Sequence, residues 1–250
     1  MMMSNEMKAL TENYENAVNF DSDSEDEQEK LKDNILKVVV MGDTGCGKTS
    51  ICTQLVKNTF TRKYVQTIGV DFYNKRLNMP NNTEIVLHVW DVGGQSVATT
   101  MLNNYLFNAN AVIFVYDVTS SQSFENIVDW IQVTKKITNS QDNKIRMILV
   151  GNKTDLEHRR AVRVEKHSKL ADSYAMSSHY VSAKTGDSVG LVFRQTVADI
   201  INITLTKNDL ESDITVINAP VATPTDAELR EVANSTQQPS SNTSAACSIQ

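Results

Sequence analysis

Two hydrophobic patterns alternate along the chain. Short, nearly unbroken apolar runs occur at Ile35–Met41, Ala111–Asp117 and Ile145–Val150. Runs of this length predict strands buried on both faces of a sheet. Stretches with apolar residues at helical spacing follow them. Lys48–Lys57 places Ile51, Leu55 and Val56 on one face. Ser123–Ile137 does the same with Phe124, Ile127, Trp130 and Ile131, and Trp130 reads there as a packing residue. Val164–Tyr174 and Ser188–Thr204 are two more predicted helices, and Met101–Phe107 is a short one. Val70–Met79 and Glu84–Asp91 read as strands joined by a turn at Pro80-Asn81-Asn82-Thr83. In the second, Ile85, Leu87 and Val89 alternate with Glu84, Val86 and His88; His88 reads as an ordinary strand residue. His179–Val181 closes the series. Thr59–Gly69 has no period and reads as a long exposed loop. Strands and helices in this order predict an α/β fold: a doubly wound, mostly parallel six-stranded sheet with one antiparallel strand and helices on both faces.

The pattern fades at both ends. Residues 1–33 carry ten acids and three bases, with Asp21-Ser22-Asp23-Ser24-Glu25-Asp26-Glu27 at their centre. Such a block cannot bury enough apolar surface to order itself, so an acidic, disordered arm is expected. Residues 207–250 are polar and hold Pro220, Pro224 and Pro239, which predicts a flexible tail. The folded body is therefore expected over 34–206. The whole chain has net charge −6. Most of the acid lies in the two ends, so the body is mildly basic, which suits a phosphate-rich ligand and argues weakly against nucleic acid. Three cysteines, Cys46, Cys52 and Cys247, form no disulfide framework, so a reducing, cytoplasmic compartment is expected. No apolar run approaches the roughly 20 residues of a membrane span.

The strongest chemistry follows the first strand. Gly42-Asp43-Thr44-Gly45-Cys46-Gly47-Lys48-Thr49 matches G-x-x-x-x-G-K-[ST] without a mismatch, between a strand and a helix. Backbone N–H groups of such a loop converge on phosphate oxygens, Lys48 reaches the terminal phosphates, and the Thr49 hydroxyl binds Mg²⁺. Asp91-Val92-Gly93-Gly94-Gln95 leaves the carboxyl end of another strand, where α/β sheets place their ligands.

Thr67-Ile68-Gly69, Asn152-Lys153-x-Asp155 and Ser182-Ala183-Lys184 complete an ordered set of five segments. This set resembles the Ras superfamily of small GTPases and, within it, the Rab family. Phe72, the run Tyr116-Asp117-Val118-Thr119, and Ser123-Phe124-Glu125-Asn126 carry the Rab likeness. Gly93-Gly94-Gln95, Glu157-His158 and Ser177-Ser178-His179 are similar to the divergent Rab-twenty-eight group. The resemblance implies a P-loop G domain that binds GTP or GDP with Mg²⁺. It implies that Asn152 and Asp155 read guanine, Lys153 packs along the base, the Ala183 N–H meets the guanine oxygen, and Phe60 lies over the ring. Ser50, Tyr64, Gly94, Leu156, Ser182 and Lys184 complete the expected nucleotide contacts. Thr49, Thr67 and Asp91 are the expected metal residues. Gln95 is expected to orient the attacking water, with Lys48 and Gly93 assisting at the γ-phosphate.

Effectors are expected to bind near Thr67 and Gln95, with an exchange factor and an activating protein as further partners. The family relation also suggests vesicle or ciliary trafficking, on the cytoplasmic face of endosomes or at the cilium base. Two departures stand out from the common Rab sequence Asp-x-Ala-Gly-Gln-Glu: Gly93 replaces Ala and Ser96 replaces Glu. The extra glycine predicts a more flexible second switch. The final Cys247-Ser248-Ile249-Gln250 reads as a C-a-a-X box for farnesylation at Cys247. A single lipid binds membranes only reversibly, so cycling with the cytosol is expected. Two other readings stay open on the sequence: a GTP-bound scaffold that barely turns over, and an adenine-nucleotide enzyme of the same loop class.

Overall fold

A computed structural model describes residues 34–95, 101–138, 145–207 and 209. The acidic arm, Ser96 and the Cys247 box lie outside the described residues. Strands β1 (Ile35–Met41), β2 (Val70–Met79), β3 (Thr83–Val92), β4 (Ala111–Asp117), β5 (Arg146–Asn152) and β6 (Ser177–Tyr180) form one sheet in the order β2-β3-β1-β4-β5-β6. β2 pairs antiparallel with β3, and every other pair is parallel. This is the mixed sheet the patterns predict. The β2–β3 turn is made by Asn81 and Asn82, both at positive φ, which asparagine tolerates better than most residues.

Helices α1 (Lys48–Lys57) and α6 (Val189–Ile201) cover one face. Ile51, Cys52 and Leu55 pack there with Val192, Phe193 and Val197 on Val38, Val40, Leu87 and Ile113. The other face is covered by α2 (Leu102–Leu106), α3 (Ser121–Glu125), α4 (Ile127–Thr138) and α5 (Val164–Ser173). Leu106, Ile127, Trp130 and Ile131 pack there on Val39, Met41, Val112 and Phe114. The double-sided cover explains why β1 and β4 read as continuous apolar runs rather than alternating ones. No helix among the described residues is long and apolar enough to cross a membrane.

One expected element is two. The apolar period from Ser123 to Ile137 runs unbroken, but the structure divides it at Asn126, the C-cap of α3. Ser120 caps α3 by accepting from the Ser123 N–H, and Asn126 closes it by donating its backbone N–H to Gln122. Its carbonyl then accepts from Asp129 and Trp130 and starts α4.

Candidate functional site

The parallel strands all end on one side of the sheet, and the loops leaving them surround a cavity of about 690 Å³. Its floor is formed by Thr44, Gly45 and Gly47 of the loop after β1 and by the first turn of α1. Gly42 has φ +141°, and a Cβ there would run into the Val115 carbonyl oxygen. Gly47 has φ +94°, and a Cβ there would collide with the Asn152 side-chain amide. Both positions are closed to other residues. The α1 N-terminus has no side-chain cap. Its first-turn residues Lys48, Thr49 and Ser50 line the cavity together with Thr44, Gly45 and Gly47. Orphan N–H groups and the positive end of the helix thus face the same space, which favours an anion. Lys48 is buried, and its Nζ donates to the carbonyls of Gly42 and Asp43 at 2.8 Å each. Gly42, Asp43 and Cys46 shape this loop from behind and are not part of the lining.

Three oxygen side chains meet at the edge of the floor. Thr49 Oγ1 donates to Asp91 Oδ2 at 2.5 Å and lies 2.8 Å from Thr67 Oγ1. Asp91 is fully buried at the end of β3, and its Oδ1 has no hydrogen-bond partner. Burial pushes its carboxyl up to about 6, against the lowering pull of the Thr49 hydroxyl and Lys48. Two hydroxyls and a carboxylate with a spare oxygen form a hard donor set that suits Mg²⁺ better than a soft metal. No group of three His, Cys, Asp or Glu placed to hold a metal ion occurs among the described residues. Cys46 and Cys52 are buried free thiols, both pushed up by burial.

The far end of the cavity is built by the loops after β5 and β6. Asp155, Leu156, Ala183 and Lys184 line it, with Asn152 and Lys153. Ser182 stands behind them, donating from Oγ to Asp155 Oδ1 at 2.8 Å, and Lys184 pairs with Asp155 Oδ2 at 3.2 Å. Lys153 sits at φ +71° and ties two elements together. Its Nζ reaches Asp117 at 2.7 Å and the Gly45 carbonyl at 2.9 Å. Burial works against the charged form of Asp117, but Lys153 and the donors of Thr119 hold its carboxyl below the usual range.

Asn152, expected at the base, has partners within the protein. Its Nδ2 donates to the Cys46 carbonyl at 2.9 Å, and its Oδ1 accepts the Ala183 N–H at 3.1 Å. It is therefore a strut joining three loops, and the Ala183 N–H expected to face a base is held by this strut. Phe60 and Tyr64 both line the outer wall and stay largely open to solvent, at 38% and 62% exposed.

The two glycines after Asp91 pack on different loops. Gly94 is the one that abuts the phosphate loop: a Cβ on it would collide with the Thr44 backbone. Gly93, expected at the γ-phosphate, lies one step back, is absent from the lining, and packs on the Thr67 loop. A Cβ at Gly93 would stand 2.6 Å from the Thr67 carbonyl oxygen, and its N–H donates to the Gly69 carbonyl at 2.8 Å. The missing side chain thus allows close packing between two loops, where the sequence suggested flexibility. Gln95 is exposed and lies outside the lining.

Sequence reasoning missed two residues behind the loop. The Asp43 carboxylate accepts from Asn126 Nδ2 at 2.6 Å and from the Trp130 indole N–H at 3.0 Å. Trp130 packs as expected, but it also holds the phosphate loop. The available signal was a carboxylate inside an anion-binding loop, which needs donors turned away from the anion.

An uncapped helix start, a buried lysine, three converging oxygens and a polar cradle at the opposite end define a phosphate-loop nucleotide-binding domain. The family model described as "Ras family" matches residues 37–202, and the chain belongs to that family. It is 47% identical over 199 residues to Ras-related protein Rab-28 of Caenorhabditis elegans, covering 80% of each chain. It is 35% identical over 182 residues to Ras-related protein RABE1e of Arabidopsis thaliana, covering 72% of this chain and 81% of the relative. Against Ras-related protein Rab-13 of Canis lupus familiaris the identity is 34% over 172 residues, with 69% and 83% covered. The protein is thus a small GTPase of the Rab type. It binds guanine nucleotide, switches between GTP and GDP forms in membrane trafficking, and works with effectors, exchange factors and activating proteins.

Proposed function

We propose that the cavity performs the GTPase cycle with the following division of labour. Lys48 and the N–H groups from Gly42 through Ser50 hold the β- and γ-phosphates. Thr49, Thr67 and Asp91 would hold Mg²⁺, which would neutralise phosphate charge when bound. Asp155 accepts from guanine, with Lys153 and Phe60 flanking the ring and Asn152 keeping the three loops in register. One carboxylate accepting two N–H bonds favours guanine over adenine, whose donor pattern differs. Gly94 senses the γ-phosphate, and Gln95 orients the attacking water. The observation that carries this reading is the meeting of the Thr49, Thr67 and Asp91 oxygens beside Lys48, with the Asp91 Oδ1 left unpartnered. The proposal extends to the ends of the chain. Where Cys247-Ser248-Ile249-Gln250 closes the mature chain, Cys247 takes a farnesyl group, and one such lipid gives reversible attachment to the cytoplasmic face of a membrane.

The test uses purified protein. Its bound nucleotide is identified by chromatography, and single-turnover phosphate release is followed for wild type and Gln95→Leu. Bound guanine nucleotide, with slow release that Gln95→Leu abolishes, supports the assignment. Equal, negligible rates in both proteins, even with activating protein added, refute the role of Gln95. Bound adenine nucleotide refutes the base-reading set.

A further inference from the structure

Asp43 poses a physical problem. It places a carboxylate inside a loop whose other groups serve phosphate oxygens, and a free carboxylate there would repel the phosphates and compete for Lys48. Its backbone is already committed. The Asp43 carbonyl accepts from Lys48 Nζ at 2.8 Å, and Gly94 packs against the Asp43–Thr44 peptide. The orientation of the carboxylate is therefore set by its own partners. Both of its oxygens are bound, and by side chains 83 and 87 positions away: Oδ2 by Asn126, Oδ1 by Trp130.

The geometry of those donors is itself fixed. Asn126 Oδ1 accepts from Gln122 Nε2 at 2.8 Å, which turns the Asn126 amide nitrogen toward Asp43. Asn126 also sits at the joint where α3 ends and α4 begins. Trp130 is 1% exposed, so its N–H needs an acceptor inside the protein, and Asp43 supplies it. We infer that Asn126 and Trp130 are positioning residues for nucleotide binding: they hold the Asp43 carboxylate away from the phosphates and so anchor the phosphate loop to the α3–α4 joint. This rests on the phosphate-loop assignment made above. It makes a helix joint part of the machinery that retains nucleotide.

The test measures dissociation of N-methylanthraniloyl-GDP from full-length protein at saturating Mg²⁺. Asn126→Asp places a second carboxylate against Asp43 and is expected to speed release roughly ten- to a hundredfold, the range for losing a hydrogen bond to a charged group. Trp130→Phe keeps an aromatic ring in the core, loses only the N–H, and is expected to speed release several-fold. The swap Asp43→Asn with Asn126→Asp restores the pair with donor and acceptor exchanged. Gln122 then still donates to position 126, and the indole to the oxygen of position 43. Release from the swap is expected within about threefold of wild type, a rescue that general damage to α4 would not give. Release from Asn126→Asp within twofold of wild type overturns the inference. So does a swap that stays as fast as the single variant. Wild type that retains no labelled GDP would instead remove the phosphate-loop assignment and the inference with it, an outcome distinct from tight binding in every variant.

Discussion

Asn152 offers a clean perturbation because one atom carries the argument. Asn152→Asp preserves shape and keeps an acceptor for the Ala183 N–H, but replaces the Nδ2 donor facing the Cys46 carbonyl. The site is 1% exposed, so neither the carbonyl nor the new charge reaches water. A buried acceptor losing its donor costs about 1–3 kcal/mol, and a carboxylate oxygen pressed on a carbonyl adds to that. Lys153 gives little relief, since its ammonium already serves Asp117 and Gly45. A total of about 2–4 kcal/mol lowers the melting temperature by roughly 5–15 °C for a body of this size. Affinity for GDP and GTP should fall together by at least about tenfold, because the strut joins the phosphate loop to the base end, which both nucleotides use. Acidification should partly reverse the defect. The introduced carboxyl has a folded pKa raised by burial above its unfolded value, so the folded state binds the extra proton, and a protonated carboxyl donates to the Cys46 oxygen again. Calorimetry at several pH values and fluorescent-nucleotide titration would check this. Wild-type melting and affinity at pH 7.5 would refute the strut, and equal loss at pH 7.5 and pH 5.5 would refute its mechanism.

Other outcomes follow from the same geometry. Burial pushes the His167 imidazole down to about 4, while the unfolded value is near 6.5. The unfolded state therefore takes up its proton first, so this group removes about 3 kcal/mol of stability as pH falls from roughly 6.5 to 4; the raised Asp91 carboxyl acts in the opposite direction over much of that window, so the loss should appear as the difference between urea titrations of wild type and His167→Gln at the two ends. Gly42→Ala must hold φ +141° and drive a Cβ into the Val115 carbonyl; it should cost at least about 3 kcal/mol and yield little folded protein by circular dichroism. Gly93→Ala should push the Thr67 carbonyl by several tenths of an ångström, moving the hydroxyl that meets Thr49; the preference for GTP over GDP should drop several-fold while the melting temperature changes by only a few degrees. Mass spectrometry of protein from eukaryotic cells should find farnesyl on Cys247, and Cys247→Ser should abolish it.

The sheet was legible because buried strands are short apolar runs, and in this chain those runs end at loops rich in glycine and acid. The phosphate loop was legible for a related reason. Its conformation at Gly42 and Gly47 excludes side chains, so the chemistry leaves a mark in the residue types themselves. What stayed hidden depends on direction rather than type. Trp130 satisfies the helical period whether or not its N–H has a partner, and no pattern shows that Asp43 faces it. The break at Asn126 was invisible because the apolar period passes through it unchanged. Gly93 and Gly94 are identical as letters, so the sequence could not show that one packs on the Thr67 loop and the other on the phosphate loop. Asn152 was recognised as part of the site, but its motif does not say whether its amide faces a ligand or the protein.

The polar contacts divide the site into two mechanically different ends. At the base end, Asn152 bonds Cys46 and Ala183, Lys153 pairs with Asp117, and Ser182 bonds Asp155, sets of contacts joined through the adjacent residues 152–153 and 182–183, with Asn152 and Ser182 almost wholly buried. At the other end, the Thr67 loop is held by its hydroxyl contact with Thr49 and by the Gly93–Gly69 bond. Its neighbours Val65 and Ile68 are 70% and 90% exposed. A connected buried network moves as a unit, whereas a loop with few contacts opens at small cost. On the proposed assignment, nucleotide identity is read on the rigid end and phosphate number on the loose one. Loss of one phosphate can then free an exposed apolar loop without disturbing the grip on the base, which is the physical requirement for a switch that changes its surface while keeping its ligand. Substitutions sort accordingly: those in the base-end network should weaken GDP and GTP alike, and those at Thr67, Gly93 or Gly94 should change the ratio between them.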